Sequence, residues 1–199
     1  NTTGASNTGI GRSALGANTT ASNNTAVGYS ALTANTTGTR NVSSGGLSLT
    51  TNTTGSYNTA SGFQALRYNT TADYNTAFGY NAGSAVTTGV QNTLIGGLAG
   101  DAITTAPSNT AVGYAALTST TTGANNVAVG KDALLTNTTG TRNTSVGMSA
   151  LYYTTTGSDN TGIGQGALES NTTASNNTAV GKAALTANTT GTNNTALGA

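Results

Sequence analysis

Polar and apolar residues recur along this chain with one period. An Asn opens each unit, at Asn7, Asn24, Asn41, Asn58, Asn75, Asn92, Asn109, Asn126, Asn143, Asn160, Asn177 and Asn194, and every interval is 17 residues. The consensus is N-T-A-V-G-x-x-A-L-x-x-N-T-T-G-x-x, and its places are numbered 1 to 17 below. Position 4 is large and apolar in ten of twelve copies, position 9 is Leu in nine of eleven, position 8 is Ala except at Ser48, and position 3 is mostly small. Register this strict argues against disorder, because a disordered tract has no reason to keep it. Thr-rich, β-branched stretches at positions 2–4 and 12–14, punctuated by Gly at position 5 and Gly or Ala at position 15, predict two short strands per unit. Gly, Thr and Asn argue against helix. The expected fold is all-β, a parallel β-solenoid or β-roll with one coil per repeat. At the usual strand spacing of about 4.8 Å, eleven coils make a rod of roughly 50 Å.

Stacking turns each position into a column. Asn24, Asn58, Asn109, Asn126 and Asn177 are expected to form a side-chain ladder of the kind seen in cross-β stacks. Gly28, Gly62, Gly113, Gly130 and Gly181 mark a backbone with positive φ, or one too close to its neighbour for a Cβ. The candidate core or interface residues are Val27, Val112, Val129 and Val180 at position 4 and Leu32, Leu117, Leu134 and Leu185 at position 9. With so few large apolar groups per coil, one column is expected to fill the roll and the other to face partner chains. A parallel homotrimer would bring Leu32, Leu117 and Leu185 to a common axis. Of the Thr pair at positions 13 and 14, one is expected to face inward or toward a neighbour and the other outward. Two copies depart together: Gly83 and Gly100 replace Leu at position 9, while Val86 and Ile103 replace Asn at position 12. The reading is compensation within one buried pocket. Ser44 and Ser61 at position 4 suggest a similar exchange with Leu47 and Phe63.

Composition narrows the function. Charged residues are 6% and the net charge is +1. Arg12, Arg40, Arg67, Lys131, Arg142 and Lys182 are scattered, so no basic stripe supports nucleic-acid or anionic-membrane binding. No apolar run approaches the roughly 18 residues of a membrane span. The chain has no Cys and no His. Its acids, Asp73, Asp101, Asp132, Asp159 and Glu169, fall in different repeats. Asp101 and Glu169 share position 10 but lie four coils, about 19 Å, apart. No catalytic residue, metal site or cofactor is therefore expected. Asn18, Asn35, Asn52, Asn69, Asn137, Asn171 and Asn188 open N-T-T sequons and are candidate glycosylation sites. The alternative is a packing role, because the Thr pair persists where the Asn is lost. Regular Thr columns suggest ice binding, but neighbouring Thr residues point to opposite faces of a strand, against a flat T-x-T surface. Tyr29, Tyr80 and Tyr114 at position 6, and Tyr57 and Tyr74 at position 17, are candidate contacts for glycans or proteins, or turn packing between coils.

The N-T-A-V-G-x-x-A-L stretch resembles the head repeats of trimeric autotransporter adhesins, which read approximately N-S-V-A-I-G-x-x-A-x-A-x-G-x. Asn126-Val127-Ala128-Val129-Gly130 and Asn160-Thr161-Gly162-Ile163-Gly164 follow that order. Similar repeats appear in phage tail-fibre-like proteins. The unit here is longer, with the N-T-T region as the addition. The resemblance implies a left-handed parallel β-roll, trimeric assembly, and an extracellular place on a cell surface or virion. The expectation is one array over residues 1–199, with partial repeats at 1–6 and 194–199, cut from a longer fibre. Its expected role is a structural shaft or head segment. The alternative is an adhesin or tail-fibre segment that binds a host glycan or surface protein along its side.

Overall fold

The computed structural model describes residues 2–198; Asn1 and Ala199, the outermost residues of the two partial repeats, lie outside the described residues. Twelve three-residue strands follow the repeat: β1 (Thr8–Ile10), β2 (Thr25–Val27), β3 (Val42–Ser44), β4 (Thr59–Ser61), β5 (Thr76–Phe78), β6 (Thr93–Ile95), β7 (Thr110–Val112), β8 (Val127–Val129), β9 (Thr144–Val146), β10 (Thr161–Ile163), β11 (Thr178–Val180) and β12 (Thr195–Leu197). They form one parallel sheet in sequence order. Pairing is position on position, as in Thr93↔Thr110, Leu94↔Ala111 and Ile95↔Val112. The chain is thus a β-solenoid with one coil per 17 residues. Among the described residues there is no helix long and apolar enough to cross a membrane.

Each coil has one strand, not two. At positions 13 and 14 the Thr36 and Thr37 amides both donate to the Thr53 carbonyl, at 2.9 and 3.2 Å, and the Thr36 hydroxyl adds a third bond at 3.0 Å. Converging donors on one carbonyl replace the alternation that a ladder requires. The Thr at position 13 spends its hydroxyl on the next coil, and the Thr at position 14 points to solvent, so the expected division of the pair holds without a strand.

The turns use backbone that the residue types do not advertise. Positions 7, 9 and 17 have positive φ in coil after coil, for example Ser30 (52°), Leu32 (52°) and Arg40 (58°). This region costs a non-glycine residue roughly 1–2 kcal/mol. Hydrogen bonds to the neighbouring coil hold these sites in place: the amides of Ser30 and Leu32 bond to the Arg12 and Ser48 carbonyls. The Ser30 bond, like that of the Arg40 amide to the Ser22 carbonyl, runs to the preceding coil, and the Leu32 bond runs to the following one.

Successive strand residues point to opposite sides, and here position 3 points inward. Ala26, Ala77 and Ala128 are buried there, opposite the buried Leu32, Leu66, Leu117 and Leu134. Position 4 therefore faces out. Val27 is 37% exposed and Ile95 40%, while Val112, Val129 and Val180 are half-buried. This corrects the placement of the Val column in the core. It also corrects the Leu axis: Leu32 and Leu117 are fully enclosed by their own coil, and the half-buried Leu185 packs on the same core. A column already inside the roll has no surface to give a partner chain. Ser44 and Ser61 leave no hole, because their column is outside; Leu47 is half-buried and Phe63 exposed.

The exchange in the central coils is real. Val86 and Ile103 are fully buried. A Cβ on Gly83 would add a branch 2.6 Å from Leu94 Cδ1, and one on Gly100 would sit 2.7 Å from Leu94 Cδ2 and 2.8 Å from Ile103 Cδ1. Leu94, at the usually small position 3, is a third contributor to the pocket.

Candidate functional site

Among the described residues the chemistry lies in columns. The first column is internal. The Asn24 Oδ1 accepts the amide of Asn41 at 2.9 Å, and the Asn41 Oδ1 accepts that of Asn58 at 2.9 Å. The same Asn24 donates its Nδ2 to the Gly38 carbonyl of its own coil, at position 15, at 2.9 Å. Each side chain therefore ties one coil to the next and closes its own.

The sequon asparagines form a second ladder beside it. The Asn35 Nδ2 donates to Asn18 Oδ1 and to the Gly38 carbonyl, both at 2.9 Å. Asn52 and Asn69 continue the series at 2.9 and 2.7 Å. Asn18, Asn35, Asn52, Asn69, Asn137 and Asn171 are buried, and Asn188 is half-buried. The nitrogen that would carry a glycan is thus enclosed and already committed to hydrogen bonds, so the glycosylation reading gives way to the packing one. Replacement at position 12 leaves a trace: next to Val86, the Asn69 Oδ1 is buried without a partner. Thr120 and Thr154 substitute a hydroxyl, which accepts from Asn137 at 3.2 Å and Asn171 at 3.4 Å. The signal for this ladder was in the sequence, as a second Asn on the same period; the sequon reading obscured it.

The glycines at position 5 meet both conditions inferred for them. Gly113 has a φ of +139°, and a Cβ there would lie 2.5 Å from the Gly130 carbonyl oxygen of the next coil. The backbone of successive coils is in contact at this column.

The outer columns carry the charges and rings. At position 17, Arg40 lies over Tyr57 with 5.3 Å to the ring centroid, and Tyr57 stacks on Tyr74 at 4.9 Å. At position 6, Arg12 lies 5.9 Å from the Tyr29 centroid and Phe63 stacks on Tyr80 at 6.1 Å. Tyr29, Tyr57, Tyr74, Tyr80 and Tyr114 are all exposed. Packing between coils uses the faces of the stacked rings and leaves their edges to solvent. Farther along position 17, Arg142 pairs with Asp159 at 2.6 and 2.8 Å. Hydrogen bonding to Arg142 lowers the Asp159 pKa, and the same bond raises that of Arg142.

Among the described residues no three His, Cys, Asp or Glu side chains gather as a metal site. Met148, Ser149, Gln165, Gly166, Glu169, Lys182 and Ala183 line an open cleft of about 250 Å³, below the roughly 300–1,000 Å³ of ordinary ligand pockets. No protein-family model, curated protein or solved structure matches the chain. The likeness to adhesin head repeats therefore rests on the N-T-A-V-G motif.

Proposed function

We propose that this chain is a shaft segment of an extracellular fibre, borne on a cell surface or virion, with no catalytic role. The observation that carries this reading is unbroken register: twelve strands, one per 17 residues, pair in sequence order without an insertion. Such an array grows in one dimension, each coil supported by its neighbours. Association with further copies as a parallel homotrimer belongs to the proposal. Its support is the motif likeness, since the Leu column is enclosed within each coil. Electron microscopy of arrays with added or removed repeats tests the shaft reading. Length is expected to change by about 4.8 Å per 17-residue unit; particles whose length does not follow repeat number would refute it.

The exposed ring columns favour a second reading, in which the side of the fibre also binds a host glycan or surface protein. Tyr57→Ala with Tyr80→Ala is then expected to reduce cell or glycan-array binding while the rod persists. Binding unchanged by these substitutions would rule the rings out.

A further inference from the structure

The outward face of the sheet presents positions 2 and 4 side by side, a T-x-V pattern that the adjacent Thr-Thr pair had masked. Over β6–β11 it is uninterrupted: Thr93 and Ile95, Thr110 and Val112, Val127 and Val129, Thr144 and Val146, Thr161 and Ile163, Thr178 and Val180. Phe78 in β5, and Ser61 and Ser44 before it, bound the patch on one side. No charged residue occupies position 2 or 4 in any copy. The hydroxyls of Thr93, Thr110, Thr144, Thr161 and Thr178 form no hydrogen bond within the described chain, unlike those at position 13.

The geometry points to a surface for crystalline water: we propose that this face binds ice. Side chains repeat at about 4.8 Å along the rod and roughly 6.6 Å along the strand, in two nearly perpendicular directions. The step of about 4.8 Å along the rod lies close to the shorter oxygen–oxygen repeat of hexagonal ice, and the wider spacing is sampled only once per coil. Thr, Val and Ile are stiff at χ1, and the Asn and Gly columns hold successive coils to one step, so the array is fixed before it meets a ligand. The methyl groups order the water above them, and the free hydroxyls join that water. The absence of charge complements an uncharged lattice and removes the usual anchors for acidic or basic macromolecules. The inference goes beyond the shaft reading.

The test is ice growth on a cold stage in the presence of the purified chain, with recrystallisation followed over time. The wild-type chain is expected to slow recrystallisation and facet the crystals. The Thr144→Lys, Thr161→Lys double variant is expected to lose that effect with its circular dichroism unchanged. Thr139→Lys, exposed at position 14, is expected to keep it. Three results would each overturn the proposal: a folded wild-type chain without effect on ice, equal activity in the double variant, or a light-scattering oligomer dispersed by the same two lysines. That last result would support the fibre assembly while refuting ice, and a rod inert to ice would leave the shaft reading intact.

Discussion

Gly113→Val tests the idea that coils meet backbone to backbone. The new Cβ would lie 2.5 Å from the Gly130 oxygen, 2.6 Å from its carbonyl carbon and 3.1 Å from the Lys131 nitrogen. All three are backbone atoms of the next coil, so no side chain can swing aside. Relief requires the coils to part, which strains the Gly130 amide bond to the Val112 carbonyl at 2.8 Å. The φ of +139° adds a conformational cost of about 1–3 kcal/mol for a non-glycine residue. With the steric conflict the total is about 3–5 kcal/mol, at the severe end for single substitutions. For a chain of this size, that lowers the melting midpoint by roughly 6–20 °C. The control is Thr122→Val, whose hydroxyl is exposed at position 14 and whose loss is expected to stay within about 0.5 kcal/mol. Thermal and urea unfolding, followed by circular dichroism, supply the comparison. Equal midpoints for the two variants would refute the close-contact argument.

Burial predicts an asymmetry between the apolar columns: Leu117→Ala is expected to cost about 2–5 kcal/mol, and Val112→Ala, on the half-buried outer face, well under half as much by urea unfolding. Asn143→Ala removes the acceptor of the buried Asn160 amide, at 3.0 Å. A loss of about 1–3 kcal/mol is expected, and an unchanged midpoint would show that the ladder contributes nothing. Excising residues 75–108 removes two whole units and is expected to preserve the rod, whereas a ten-residue excision is not; equal folding of both by circular dichroism would contradict the solenoid register. The Arg142–Asp159 pair predicts a small pH effect. Because the folded Asp159 pKa is lowered, its contribution is present above the ordinary carboxylate range and is lost as pH falls through the folded value. Asp159→Asn is expected to flatten that acid limb, and an identical limb in both proteins would remove the pair from the account.

The period alone determined much of this protein. Twelve Asn residues at one spacing imply a stacked coil, and a Gly retained at position 5 implies backbone contact. The paired departures at Gly83 and Val86, and at Gly100 and Ile103, disclosed a shared pocket. What periodicity leaves open is which way each column faces. A three-residue strand has one inward residue, and whether Ala at position 3 or Val at position 4 takes that place depends on the turn before it. The turns are set by positive φ at Ser30, Leu32 and Arg40, residue types that do not favour it. Tertiary hydrogen bonds between coils, not local preference, impose those angles. They carry Leu32 inside, leave Val27 in solvent, and curl the Thr pair out of a second strand. The same closure encloses Asn35, turning an apparent glycosylation signal into a ladder. Sequence sets the repeat because identical residues stack on identical residues; the closed coil decides inside from outside, because only there do distant positions compete for one small interior.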